Sequence, residues 1–267
     1  GVPSGFMALD RVTLGWQLSD LIIVAARPSM GKTAFVLSMA RNMAVDHEQG
    51  VAFFSLEMSS VQLMMRLIIA ETGLSGNDVK SGRLTPEQWR HLESATKPLG
   101  TAPLFIDDTP ALSVFEFRSK ARRLKIHNDI KIIIIDYLQL MQSAGGRTYS
   151  GENRQQVVSD ISRALKIMAK ELDVPVLCLS QLSRANESRS DKRPMLSDLR
   201  ESGAIEQDAD IVMFLYREGY YDKDTPNPNL AECIIAKNRH GETRTVELQW
   251  LPEFTTFGNM EWQHDEY

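Results

Sequence analysis

Residues 21–33 read LIIVAARPSMGKT. The six apolar residues 21–26 form an unbroken run suited to a strand buried on both faces, as strands of parallel sheets are. The run stops at Arg27-Pro28-Ser29-Met30-Gly31, where proline and glycine break regular structure, and Lys32-Thr33 open a helical pattern. Strand, tight loop, Lys-Thr and helix is the order of a phosphate-binding P-loop. Successive backbone N–H groups and the positive helix end gather a polyphosphate there. The expected cradle is Ser29, Met30, Gly31, Lys32, Thr33 and Ala34. Gly31 lets the main chain approach closely, Lys32 reaches the outer phosphates, and Thr33 offers its hydroxyl to Mg²⁺. The G-x-x-x-x-G-K-[ST] pattern begins on glycine, and here that place is Ala26.

Outward from this loop the chain alternates. Residues 51–56 (VAFFSL), 104–107, 131–136 (KIIIID), 176–180 and 211–216 are further strand-like runs. Between them fall helical patterns, at 32–47 behind the loop and at 155–172, where Val157, Val158, Ile161, Leu165, Met168 and Leu172 share one side. Ser59 with Gln62, Thr85 with Gln88 (Pro86 between them) and Ser113 with Glu116 are capping-box helix starts. Residues 231–237 and 244–250 predict a hairpin, 1–20 a cap on the first strand, and 143–153 and 183–197 polar loops. No internal repeat, low-complexity tract or linker interrupts residues 1–267, so one α/β domain is expected, a doubly wound parallel sheet with a C-terminal β-hairpin.

Composition narrows the function class. With 267 residues, 43% hydrophobic and 24% charged, the chain can bury a substantial core. It has no apolar run of membrane-spanning length and no signal-peptide pattern, so no membrane partner and a cytoplasmic location are expected. Cys178 and Cys233 sit in apolar runs and read as buried, reduced thiols. The five histidines are scattered, with no metal-ligand pair. A net charge of −5 argues against a protein that coats nucleic acid generically, so any such site must be local. The basic run Lys120, Arg122, Arg123 and Lys125 reads as a solvated helix face.

A P-loop alone does not say what becomes of the nucleotide. Asp136, closing an apolar strand, fits the acid that holds Mg²⁺ through water. Tyr137 follows it, so a carboxylate that deprotonates the attacking water must come from another strand. Glu57, just beyond the second strand, is the candidate, since ligands of such sheets gather at the carboxyl ends. Gln181 ends its own strand in the same way, where a neutral amide can bond a γ-phosphate and register its loss.

Six segments then become recognisable together: ARPSMGKT (26–33), FFSLEMS (53–59), IDYLQLM (135–141), LSQLSR (179–184), SDLRESGAIEQDAD (197–210) and AKNRHG (236–241). They resemble the bacterial replicative DNA helicases of the DnaB family, over essentially the whole chain, and that family too carries alanine at the position of Ala26. The resemblance implies a RecA-like ATPase domain working in a homo-hexamer around single-stranded DNA, hydrolysing ATP with Mg²⁺ between neighbours to translocate and unwind duplex. It implies Lys32 and Thr33 on phosphate and metal, Asp136 on the metal, Glu57 as general base, and Gln181 coupling the γ-phosphate to DNA loops. Lys237 and Arg239 would reach the next subunit's ATP, Arg239 as arginine finger, and Arg200, Glu201 and Gly203 would contact the DNA backbone. It further implies that the family's N-terminal domain and linker helix lie outside this sequence, and that primase and helicase loader are partners of the full-length protein. Two other classes fit a P-loop: a RecA-like filament ATPase, and a protein that holds nucleotide as a structural ligand.

Overall fold

The apolar run at 21–26 becomes the middle of a sheet. In a computed structural model, which describes residues 1–141, 154–202 and 204–260, the strands are β1 (Leu21–Ala26), β2 (Gly50–Ser55), β3 (Leu104–Asp107), β4 (Ile130–Asp136), β5 (Val176–Gln181), β6 (Ile211–Tyr216), β7 (Leu230–Asn238), β8 (Arg244–Leu251) and β9 (Thr256–Gly258). The helices are α1 (Met7–Thr13), α2 (Lys32–Arg41), α3 (Ser60–Thr72), α4 (Gly76–Ser81), α5 (Pro86–Thr101), α6 (Val114–Asn128), α7 (Arg154–Leu172), α8 (Ile205–Asp208) and α9 (Glu218–Tyr221). Strand order is β3-β2-β4-β5-β1-β6-β7-β8-β9. The pairs from β3 through β6 are parallel, and β7, β8 and β9 add on antiparallel. This is the doubly wound, mostly parallel RecA-like sheet expected, extended by the hairpin.

Burial on both faces explains the unbroken apolar runs. Ile22, Val24 and Ala26 pack with Phe35, Val36 and Met39 of α2, whereas Leu21, Ile23 and Ala25 pack with Val157, Ile161 and Leu165 of α7. Successive side chains thus enter opposite cores, as the two-residue period of a strand requires. Both thiols are free and fully buried, and burial pushes the Cys233 thiol up to about 12, so both are inert packing groups. Among the described residues no helix is long and apolar enough to cross a membrane.

Several expectations need correction. The helix behind the loop ends at Arg41, and Asn42–Asp46 continues as a wider π-turn in which the His47 N–H donates to the Asn42 carbonyl. The boxes at Ser59 and Thr85 have both arms, but at Ser113 only the Glu116 N–H bond to the serine hydroxyl forms. The N-terminal cap contains α1, whose neighbour Phe6 stacks on Phe35 at 5.4 Å. The basic face of α6 is exposed at Arg122 and Arg123 as expected, and it carries ion pairs besides: Lys120 bonds Asp107 at 2.8 Å, and Arg122 shares Glu171 with Arg118. β9 carried no pattern, being three residues recruited by β8. The loop expected at 143–153 lies outside the described residues.

Candidate nucleotide site

The site begins with a helix end left bare. α3 and α5 open on serine or threonine caps, but α2 opens on Gly31, at φ 88°, with no side-chain cap and no acid in its first turn. Its first N–H groups therefore remain free for an anion. Alanine at 31 would be strained twice, by the left-handed backbone and by Phe257, 3.0 Å from where its Cβ would lie.

Lys32 and Thr33, on the first turn of α2, are buried. Thr33 donates its hydroxyl to Asp136 Oδ2 at 2.7 Å, although β5 lies between their strands. Asp136 is fully buried, and its Oδ1 has no hydrogen-bond partner. The Lys32 Nζ is likewise buried and unbonded, lying 3.7 Å from the centre of the Tyr137 ring. Burial lowers the lysine's proton affinity, against the pull of Asp136 and Glu57. Burial raises that of Asp136, against the Thr33 bond and Lys32. Two adjacent buried polar atoms without partners are uncommon and mark a place for a ligand.

Lys32 lines a cleft of about 510 Å³ whose walls also include Gly31, Thr33, Glu57, Gln181 and Trp250, and Asp136 is joined to it through Thr33. Glu57 follows β2, is exposed, and faces the same space. Gln181 closes β5, the strand between the P-loop strand and the Asp136 strand. The sequence-predicted cradle, metal acid, base and sensor thus converge. Mg²⁺ fits the donors present: a threonine hydroxyl beside a carboxylate with one free oxygen suits an ion held mainly by water and phosphate. Accordingly, no cluster of three or more metal-ligating side chains occurs among the described residues.

Lys237 and Arg239 lie elsewhere. Arg239 Nη1 donates to Asp210 Oδ1 at 2.6 Å, and Asp210 Oδ2 accepts from the Leu21 N–H, at the opposite end of β1 from the P-loop. A six-residue strand spans about 20 Å, so Arg239 is remote from its own chain's cleft. Lys237 donates to the Glu206 carbonyl at 2.6 Å, and burial, then the adjacent Arg239 charge, lowers its proton affinity. Arg200 and Glu201 belong to the 3₁₀ segment Leu196–Ser202; their side chains and Gly203 lie outside the described residues.

Two site features escaped the sequence. Arg217 Nη2 donates to the Ser29 carbonyl at 2.7 Å, and its guanidinium stacks 4.7 Å from the Trp250 ring. Trp250 in turn meets Phe257 at 4.9 Å, so β8 and β9 wall the P-loop. Arg217 was findable, since it follows β6 as Glu57 and Gln181 mark the ends of β2 and β5. Trp250 was not, because only tertiary packing brings the hairpin to the loop.

The sequence profile of the DnaB-like helicase C-terminal domain matches residues 1–259. The chain belongs to that family. The replicative DNA helicase DnaB of Geobacillus stearothermophilus is 55% identical over all of this chain and 58% of its own length. The replicative DNA helicase DnaC of Bacillus subtilis is 54% identical with the same coverage. This DnaB-like domain therefore spans less than two thirds of these relatives. A solved ATPase domain superposes with a TM-score of 0.91 at 46% identity, covering 98% of this chain and 92% of that one. A DnaB-like replicative helicase studied with primase gives 0.90 at 46% identity, covering 98% and 62%.

Proposed function

We propose that this chain is a single ATPase domain, the motor of a homo-hexameric replicative helicase that moves along single-stranded DNA. The observation that carries it is a division of the site: cradle, base and sensor share one cleft, while Arg239 lies at the far end of the sheet. Such a chain needs a second copy to complete its chemistry. The P-loop N–H groups and Lys32 bind the ATP phosphates, and the unbonded Nζ gains its missing partner there. Mg²⁺, held by Thr33 and Asp136, supplies charge neutralisation on the phosphates when bound. Glu57 orients the attacking water and takes its proton, and Gln181 bonds the γ-phosphate and reports its departure. Arg239 of one copy, with Lys237, stabilises charge on the phosphates held by the next. Arg200, Glu201 and Gly203 follow DNA by its backbone, so tracking is independent of sequence. The membership of the family supports a replication setting in the cytoplasm, with primase and a loader as partners of the longer protein.

Arg239→Ala subunits titrated into unsubstituted protein test the division. An arginine finger is worth ~10³–10⁵ in rate, and a ring needs its neighbours, so ATPase activity should fall more steeply than the substituted fraction rises. A fall in simple proportion would overturn action in trans.

A further inference from the structure

We propose that Gln139 is a positioning residue for Gln181, tying the segment that follows the Asp136 strand to the end of the sensor strand so that the two move together. Gln139 lies in the 3₁₀ turn Leu138–Leu140, three residues beyond Asp136. Its side-chain amide bonds the Gln181 main chain twice: Oε1 accepts from the Gln181 N–H at 3.1 Å, and Nε2 donates to the Gln181 carbonyl at 3.3 Å. Nε2 also donates to the hydroxyl of Ser180 at 2.9 Å, and Ser180 is fully buried. An amide side chain offers the same donor and acceptor as a peptide unit, so Gln139 acts as a one-residue extension of the sheet.

That extension falls where the sheet lacks one. On the β1 side, Gln181 is held by the P-loop strand, in register with Ala26. On the other side the β4–β5 pairing stops at Ile135 and Cys178, three residues short. There the Gln139 amide takes the place of the missing strand. The Gln181 side chain, by contrast, borders two spaces: the phosphate cleft, and a second cleft of about 430 Å³ walled by Arg27, Arg154, Ser183 and Arg184 among others. With its main chain fixed from both sides, only its amide is free to exchange a phosphate for a partner in the second cleft. Any shift of the segment after Asp136 on phosphate release is delivered directly to Gln181. This rests on the assignment of Gln181 as the sensor given above.

The test is a double-substitution cycle read as the ratio of ATPase rate with oligothymidine to the rate without it. Gln139→Ala should lower this ratio about fivefold or more, whereas in a Gln181→Ala background it should change the ratio less than about twofold, because residues acting through one contact are non-additive. Gln139→Glu keeps the size and the acceptor but loses both donor bonds. It should behave like Gln139→Ala, and it carries the test should the alanine variant fail to fold. A full ratio in folded Gln139→Ala or Gln139→Glu, or additive losses in the cycle, would overturn the proposal. If Gln181→Ala itself keeps the full ratio, the sensor assignment fails and this inference falls with it. If Gln181→Ala loses the ratio and Gln139→Ala keeps it, only the role of Gln139 is lost.

Discussion

The two ends of one sheet are built to opposite rules. At the carboxyl end, buried Lys32 Nζ and Asp136 Oδ1 have no hydrogen-bond partners, and α2 begins without a cap. At the amino end the buried acids are bonded instead. Asp210, with a side chain 3% exposed, accepts from Arg239, Lys166 and the Leu21 N–H, and Asp20 pairs with His240. Desolvated groups left unbonded cost stability, whereas the same groups fully bonded define a rigid corner. One end leaves buried polar groups open to a ligand, and the other commits its buried acids, Asp20 and Asp210, to bonds within the fold.

The largest expected effect breaks this contrast directly. Asp210→Ala takes the counter-ion from Lys166, which keeps only its bond to the Ser19 carbonyl, and the acceptor from a main-chain N–H, and should cost about 3–5 kcal/mol of folding free energy by denaturant titration. Lys32→Ala removes a buried charge that has no hydrogen bond to lose, only its contact with the Tyr137 ring, so nucleotide-free stability should hold or rise. Its ATPase rate should nevertheless fall by ~10²–10³. Equal stability losses at the two positions would refute the distinction.

A smaller effect separates two carboxylates by their pH slopes. Hydrogen bonds from Arg189 hold Asp198 below the ordinary carboxylate range, so its contribution of about 1–3 kcal/mol is complete above pH ~4 and is lost as pH falls through the folded value. Asp136 is held above that range by burial, so its ionisation costs stability at neutral pH and the cost fades as pH falls toward ~4. Denaturation midpoints between pH 7 and 3, without nucleotide or Mg²⁺, should therefore lose an acid-side decline in Asp198→Asn. In Asp136→Asn the midpoint should rise at neutral pH. The reverse pattern would mean that the acid at the end of β4 is not a buried, ligand-ready group.

The smallest effect sharpens the boundary of the phosphate end. Arg217→Ala removes one bond to the Ser29 carbonyl and a stack on Trp250, and it should weaken ATP binding about 5- to 30-fold by calorimetry. A loss as large as that of Lys32→Ala would place Arg217 among the phosphate ligands themselves.

Much of this architecture was legible because each signal was local. Residues 21–26 and 211–216 fall on β1 and β6 without an offset, since strands buried on both faces leave uninterrupted apolar runs, and 104–107 falls on the half-buried edge strand β3. The P-loop is legible as a motif, Asp136 as an acid closing an apolar strand, and Glu57 and Gln181 by the rule that such sheets place ligands at their carboxyl ends. What stayed hidden was non-local. Nothing near Gln139 announces that its amide completes a neighbouring strand, and nothing near Trp250 announces the P-loop. Arg239 was readable only through the family likeness, because its partner Asp210 lies 29 positions away.

The sheet's two rims bear on how it resists unwanted pairing. The outermost strands are β3 and β9, four and three residues long, and the Asp107–Lys120 ion pair lies at the end of β3. Short, charged rims are poor templates for strand addition, so neither edge of this sheet invites the pairing of strands from chain to chain that seeds aggregation.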